Sequence, residues 1–456
     1  MVNKASSIVD DSPLTKFHIK LTIFSSGGPF LDGYILSIVG MALLSLNKSF
    51  EINSLWNGLL GSSALIGVFI GGLLFGYLTD RVGRESMYRL DLYAFLILSI
   101  LQIFATNVEQ LFVLRLLLGI AIGADYPIAT SLLTEFSPRK YRGKLLGFLI
   151  VSWYLGATIA YFVGYFLLDS GPDAWKWMLA SSAIPSLIVI FLRSKTPESP
   201  RWLLSKGKNE EALKIMKSIY GESVTLADIP TSSVQKPSLL KLFSPAYRKR
   251  TLFVMLFWNF QLIPMFAIYT FAPTLLETFK LDNGNLSHIG SALISLLFLI
   301  GCTVATFFID RIGRRALLIY GFLFTTIALL VLGLAPGASS WIIISMFFMY
   351  AFFAGAPAIL EWAYPNELFP TDIRGTAVGF STTVSRIGAT VGTFGLPIAL
   401  ANYGVGTTML ITAGLNLIGL LVAIFMAPET KNLSLETASQ EEEARDLDSQ
   451  GSVTIY

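Results

Sequence analysis

Charge is what this chain has least of. Only 14% of its 456 residues are Asp, Glu, Lys or Arg, against about 25% in a soluble domain. That deficit excludes a soluble enzyme and a disordered chain. Positive charge is not in excess either: the net charge of +3 creates no field that would draw DNA or RNA. A single cysteine, Cys302, excludes a disulfide framework and any cysteine-based metal site. Two histidines, His18 and His288, are too few for a histidine cluster. No Gly-Lys-Thr phosphate loop is present, so ATP-driven chemistry is unsupported, and neither a metal nor a nucleophile constellation is visible. The expectation is a chain that is no enzyme and carries no cofactor and no metal. What remains is 54% hydrophobic residues, for which the solvent is lipid.

The apolar residues fall into runs of helical length. A helix crossing a bilayer needs about 20 mostly apolar residues. That window predicts twelve spans, near 20–45, 55–78, 89–106, 110–134, 144–168, 174–193, 251–276, 286–309, 316–335, 340–364, 377–401 and 405–427. Such runs do not alternate as the strands of a barrel would. The first is too long for a cleavable signal, holds Asp32 and has no small-residue cleavage site. The expected class is an all-α membrane protein of two six-helix halves, 1–193 and 251–428. Between them lies a polar loop at 194–250 with short amphipathic helices, such as 209–217, expected on the cytoplasmic membrane surface. The tail, 429–456, is acidic and reads as disordered.

Basic residues orient the spans. Arg81, Arg84 and Arg89 follow the second span, and Arg139, Lys140, Arg142 and Lys144 the fourth. Arg311, Arg314 and Arg315 follow the eighth, and Arg374 the tenth. The odd-numbered connections hold little more than Lys48, Lys176 and Lys280. Both termini are therefore expected in the cytoplasm, on a plasma-membrane protein.

The two halves repeat each other. Asp80-Arg81-Val82-Gly83-Arg84 returns as Asp310-Arg311-Ile312-Gly313-Arg314, 230 residues later. Glu135, Pro138, Arg142 and Gly143 return as Glu367, Pro370, Arg374 and Gly375, 232 residues later. The repeat keeps its sidedness, as in six-span halves related by an axis along the membrane normal. Asp and Arg at cytoplasmic helix ends can cap neighbouring helices and pair with each other. We read the two copies as a latch that closes in one conformation and opens in another.

At this point the chain resembles the major facilitator superfamily. Gly76-Tyr77-Leu78-Thr79-Asp80-Arg81-Val82-Gly83-Arg84-Glu85 matches that superfamily's loop after the second span. Pro197-Glu198-Ser199-Pro200-Arg201-Trp202-Leu203, the stretch from Trp362 to Pro370, and Pro428-Glu429-Thr430-Lys431 are similar to sugar-porter signatures. The resemblance covers essentially the whole chain. It implies a secondary transporter of a small polar solute, a sugar or small organic anion, working by alternating access and coupled to protons. An uncoupled facilitator or an inorganic phosphate:proton symporter of the same fold is the alternative. A transport-fold receptor is the reading from a different class, opposed by the lack of a signalling domain. The expected partners are substrate, protons and the bilayer, with no nucleic acid, and a monomer is expected to suffice.

Few charges lie at mid-depth, where each costs several kcal/mol and is a functional candidate. Asp32 lies in the first span among Gly27, Gly28, Pro29 and Gly33, a pattern for a broken or closely packed helix. Arg115 and Asp125 lie in the fourth, about 15 Å apart along it. Glu361 and Arg386 lie in the tenth and eleventh. Three acids face two arginines, and arginine stays charged when buried. One carboxylate is then left to take up and release a proton. Asp32 or Asp125 is the candidate proton carrier, tuned by Arg115. The stretch Arg115 to Pro127, together with Asp32, is also similar to phosphate:proton and organic-ion porters, where these positions lie on the proton path and that of Tyr126 touches substrate.

Candidate substrate contacts are Tyr126, Trp153 and Tyr154 in the first half. In the second they are Trp258, Asn259, Gln261, Tyr269, Glu361, Trp362, Tyr364 and Arg386. Their rings can stack on a solute while donating a hydrogen bond. Trp362 matches the sugar-porter tryptophan of the tenth span. Other positions depart from the pattern. The seventh span reads Asn259-Phe260-Gln261-Leu262 in place of a double Gln, Trp153 and Tyr154 stand where a fifth-span Gln is usual, and the phosphate family's seventh-span Asp is missing. Arg386 thus has two readings, an anion site or a pair with Glu361.

Overall fold

A membrane-spanning segment has no water to bond its backbone, so each must satisfy its own N–H and C=O groups as helix. The computed structural model follows that rule. It describes residues 12–82, 84–138, 141–193, 198, 200–226, 239–279 and 284–431. Within its helices the side chains of 75–86, 88–89, 124–132, 134–135, 142–143, 201–202, 205, 284–288 and 371–372 are not described.

Two compact units divide the chain, Met1–Ser233 and Val234–Tyr456. The first contains α1 (Lys16–Phe50), α2 (Ser54–Val82), α3 (Arg84–Leu101), α4 (Val108–Phe136) and α5 (Arg142–Leu167). It continues with α6 (Ala174–Ala180), α7 (Ala183–Arg193), α8 (Pro200–Ser205) and α9 (Asn209–Tyr220). The second contains α10 (Leu239–Leu242), α11 (Arg248–Thr270), α12 (Ala272–Thr278), α13 (Gly284–Ile312), α14 (Arg314–Leu334), α15 (Ser340–Leu368) and α16 (Thr371–Met426).

All twelve spans are present as helix. The sixth is α6 and α7, interrupted at Ser181 and Ser182, and the seventh runs from α11 into α12. The eleventh and twelfth form one continuous stretch, α16, broken only by the non-helical backbone of Gly404. That break falls between the spans expected at 377–401 and 405–427.

Pairing within the units repeats as the motifs do. In the first, α1 packs on α5, α2 on α4, and α3 on α7. In the second, α11 packs on α16, α13 on α15, and α14 on α16. First span meets fifth, second meets fourth, and third meets sixth in both. Large apolar side chains face outward, among them Phe191 (76% exposed), Trp341 (80%) and Phe425 (80%). Water would penalise such faces and lipid does not.

The helix α9 departs from the membrane-surface expectation. Its apolar side, Ala212 and Met216, closes a core with Leu21, Leu133, Phe136, Leu149, Leu203 and Val224. Tyr220 ends it with a 2.7 Å hydrogen bond to the Phe136 carbonyl. An amphipathic pattern shows only that one face is buried; here protein covers it, and α9 is part of the first unit.

Candidate functional site

The first unit encloses two of the expected charges. Asp32 on α1 is fully buried and Arg115 on α4 is 1% exposed, and α1 packs on α4. None of the three Arg115 guanidinium nitrogens has a hydrogen-bond partner among the described residues. The glycines beside Asp32 mark close packing, since α1 runs unbroken through Pro29. A Cβ on Gly33 would stand 1.9 Å from the Trp153 carbonyl oxygen. Backbone therefore lies against backbone where α1 meets α5. Trp153 and Tyr154 are buried there, ring edge to face at 5.0 Å. The side chains of Asp125 and Tyr126 lie outside those described.

The second unit gathers its candidates on three helices. Trp258 on α11 and Trp362 on α15 meet edge to face at 5.9 Å. Asn259, next to Trp258, accepts the Gly388 N–H of α16 at 2.9 Å. Glu361 and Arg386, both buried, are electrostatic neighbours across α15 and α16. Glu361 thus feels the Arg386 charge, which leaves both readings of Arg386, an anion site or a pair with Glu361, open. Among the described residues the Glu361 Oε1 atom has no hydrogen-bond partner, and the nearby Trp258 indole N–H makes no well-formed bond with the carboxylate. Gln261 is buried, and among the described residues neither of its amide atoms is bonded. It lines a crevice, too narrow for water, with Phe322, Thr325, Tyr350 and Asn416.

Two tyrosines have their hydroxyls engaged elsewhere. Tyr269 bonds Ser295 of α13. Tyr364 donates to the Pro428 carbonyl at 3.0 Å and packs on Phe253 and Phe257. Tyr364 thus belongs to the helix-end cluster that follows.

That cluster contains the second copy of the repeated motif. Arg314 bonds Glu367 through Nη2 at 2.9 Å and Nε at 3.3 Å, and Asp310 through Nη1 at 2.9 Å. Arg374 donates to the Phe369 carbonyl at 3.2 Å, and Lys431 Nζ to the Arg311 carbonyl at 2.7 Å. Among the described residues, Arg311 otherwise lies against the Phe308 ring. In the first copy, Gly83 and the side chains of Asp80, Arg81, Arg84, Glu135 and Arg142 lie outside the described residues.

The residue missing from the expected latch is Glu429. Its carboxylate accepts the N–H groups of Arg314 at 2.9 Å and Arg315 at 3.2 Å, capping α14. An anion is favoured at a helix start, and Gly313 makes room for it. Thr430 adds a hydroxyl to Glu367. The Pro428–Lys431 motif was legible, but its partner lies 115 residues away. Arg193 was also missed. It is buried and donates to the carbonyls of Phe24 and Ser25 at 3.0 and 3.2 Å, joining α7 to α1.

Comparison with known proteins agrees with the fold. Residues 21–441 match the family model described as sugar (and other) transporter. The chain is 44% identical to Escherichia coli K12 YaaU, provisionally named a metabolite transport protein, over 94% of this chain and 96% of that one. It is 30% identical to the Bacillus subtilis arabinose-proton symporter, over 96% and 98%. The inward-open, partly occluded xylose transporter XylE of E. coli superposes with a TM-score of 0.79 at 25% identity, over 92% of this chain and all of that one.

Proposed function

The chain belongs to the sugar (and other) transporter family, a multi-pass membrane fold of the major facilitator superfamily, and from that premise we propose that it is a proton-coupled symporter of a small polar solute. The single observation carrying this reading is the complete enclosure of Asp32 and Arg115 on two helices packed together. Ionisable groups in hydrocarbon are expensive and are retained where they do work. A carboxylate there has two accessible forms, charged beside a cation or neutral with a proton. Exchanging them as the halves alternate moves one proton per cycle. The names of the arabinose-proton symporter and of XylE support the solute class, a sugar or similar small metabolite.

The ion-pair node around Arg314 serves this reading as the latch, because ion pairs at helix ends close and open as whole units. The basic bias of the even-numbered connections supports cytoplasmic termini.

Uptake into proteoliposomes tests the proposal, with sugars, carboxylates and phosphate offered with and without an inward proton gradient. One class is expected to accumulate only with the gradient. Asp32→Asn is expected to keep solute counterflow and lose the response to the gradient. Full gradient response in Asp32→Asn removes Asp32 from the role. Flux that ignores the gradient for every solute leaves an uncoupled facilitator.

A further inference from the structure

The second unit has its own buried acid and base, and the first unit's proton path does not use them. Three helices bring them together. The Asn259–Gly388 bond sets the register of α11 against α16, two residues beyond Arg386. The Trp258–Trp362 contact sets α11 against α15, next to Glu361. Facing Glu361 are Arg386 from α16, the Cys302 thiol from α13 and the Trp258 indole from α11. On α14, Gly321 packs against Pro357, one turn before Glu361. Farther along α15, Glu367 is engaged by Arg314.

A buried ion pair repays its desolvation only when its remaining hydrogen-bonding capacity is filled. Glu361 and Arg386 are buried opposite charges that act on each other, and that capacity is not filled, because among the described residues Glu361 Oε1 lacks a partner. A pair in that condition can be traded for another of equal charge. We infer that Glu361 and Arg386 form an anion site of the second unit, in which a proton taken by Glu361 frees Arg386 for the carboxylate of a small cyclic or aromatic acid.

The charge balance shows why proton and solute must travel together. Empty, the site holds one carboxylate and one guanidinium, with no net charge. Loaded, it holds a neutral Glu361, the guanidinium and the solute carboxylate, again with no net charge. Binding the anion alone would leave a surplus negative charge in a low-dielectric site, which costs several kcal/mol. Trp258 and Trp362 supply faces for a ring. On release the proton leaves Glu361 with the anion, and the charges of Glu361 and Arg386 again balance each other. Through this site one monoanion and one proton cross together with no net charge, and the proton carried by Asp32 is additional to that one.

This inference rests on the transporter reading for its purpose but is tested without transport. Purified protein in weakly buffered detergent is titrated with D-glucuronate, benzoate, D-glucose and phosphate. Binding is followed by tryptophan fluorescence and proton uptake by a pH indicator. The expected result is that a carboxylate binds with one proton taken up per anion, and that D-glucose causes no proton uptake. Glu361→Gln is expected to bind the same anion with no proton uptake. Arg386→Gln is expected to weaken it by about tenfold or more, the loss of a charge-assisted hydrogen bond. If Arg386→Gln fails to fold, the double variant Glu361→Gln/Arg386→Gln carries the same test without a stranded charge. Proton uptake unchanged in Glu361→Gln overturns the inference, as does failure of both carboxylates to bind. Proton-linked binding without transport in proteoliposomes would instead leave this site standing and overturn the symporter proposal.

Discussion

Gly313→Ala tests whether the α14 cap was read correctly. Gly313 has φ 97° and ψ 158°, a region close to glycine-only, and a side chain there costs about 1–3 kcal/mol. Its new Cβ would also stand 2.5 Å from a Glu429 carboxylate oxygen. That carboxylate would have to leave the N–H groups of Arg314 and Arg315. Both bonds are solvent-exposed, so the loss is about 1 kcal/mol, at the scale of a charge at a helix start. The total is about 2–4 kcal/mol. Cys302 supplies the assay, because it is the sole cysteine and fully buried. A fluorogenic maleimide reacts with it only on unfolding. The apparent Tm is expected to fall by about 4–16 °C, at about 2–4 °C per kcal/mol. In a Glu429→Ala background the steric component is absent, and the same substitution should cost about 1 kcal/mol less. A Gly313→Ala protein as stable as wild type refutes the argument, as does a penalty undiminished by Glu429→Ala.

Three further outcomes are expected. Gly33→Ala puts a methyl group into the Trp153 carbonyl and should abolish the monodisperse peak in detergent gel filtration, whereas Gly375→Ala, with nothing among the described residues within 4 Å of its Cβ, should leave it intact. Asn416→Ala removes a side chain whose Nδ2 contacts Thr325, Thr326 and the Phe322 carbonyl. Both threonine hydroxyls keep bonds within α14, so the maleimide melt should report only about 1–2 kcal/mol of destabilisation. Ala212→Asp places a charge in the apolar core around α9 and should speed trypsin cleavage at Lys214 and Lys217 at least about tenfold, as expected for an opening equilibrium shifted by a buried charge.

Legibility differed from residue to residue. The close packing at Asp32 could be read from Gly33, since small residues let membrane helices approach. The break at Gly404 could be read from the gap between two apolar runs. The covering of α9 could not, because its periodicity is the same whether lipid or protein lies above it. Tyr269 and Tyr364 were legible as polar groups within apolar spans, but not that Ser295 and Pro428 engage them.

By itself the sequence determined the membrane solvent, the twelve helices and the doubled motif. These are properties of single segments, imposed by the cost of unpaired backbone and charge in hydrocarbon. Only the tertiary structure decided that Glu429 caps α14, that Glu361 faces Arg386, and that first span meets fifth in each unit. Each depends on side chains far apart in the chain being brought together by helix packing, which no local pattern encodes.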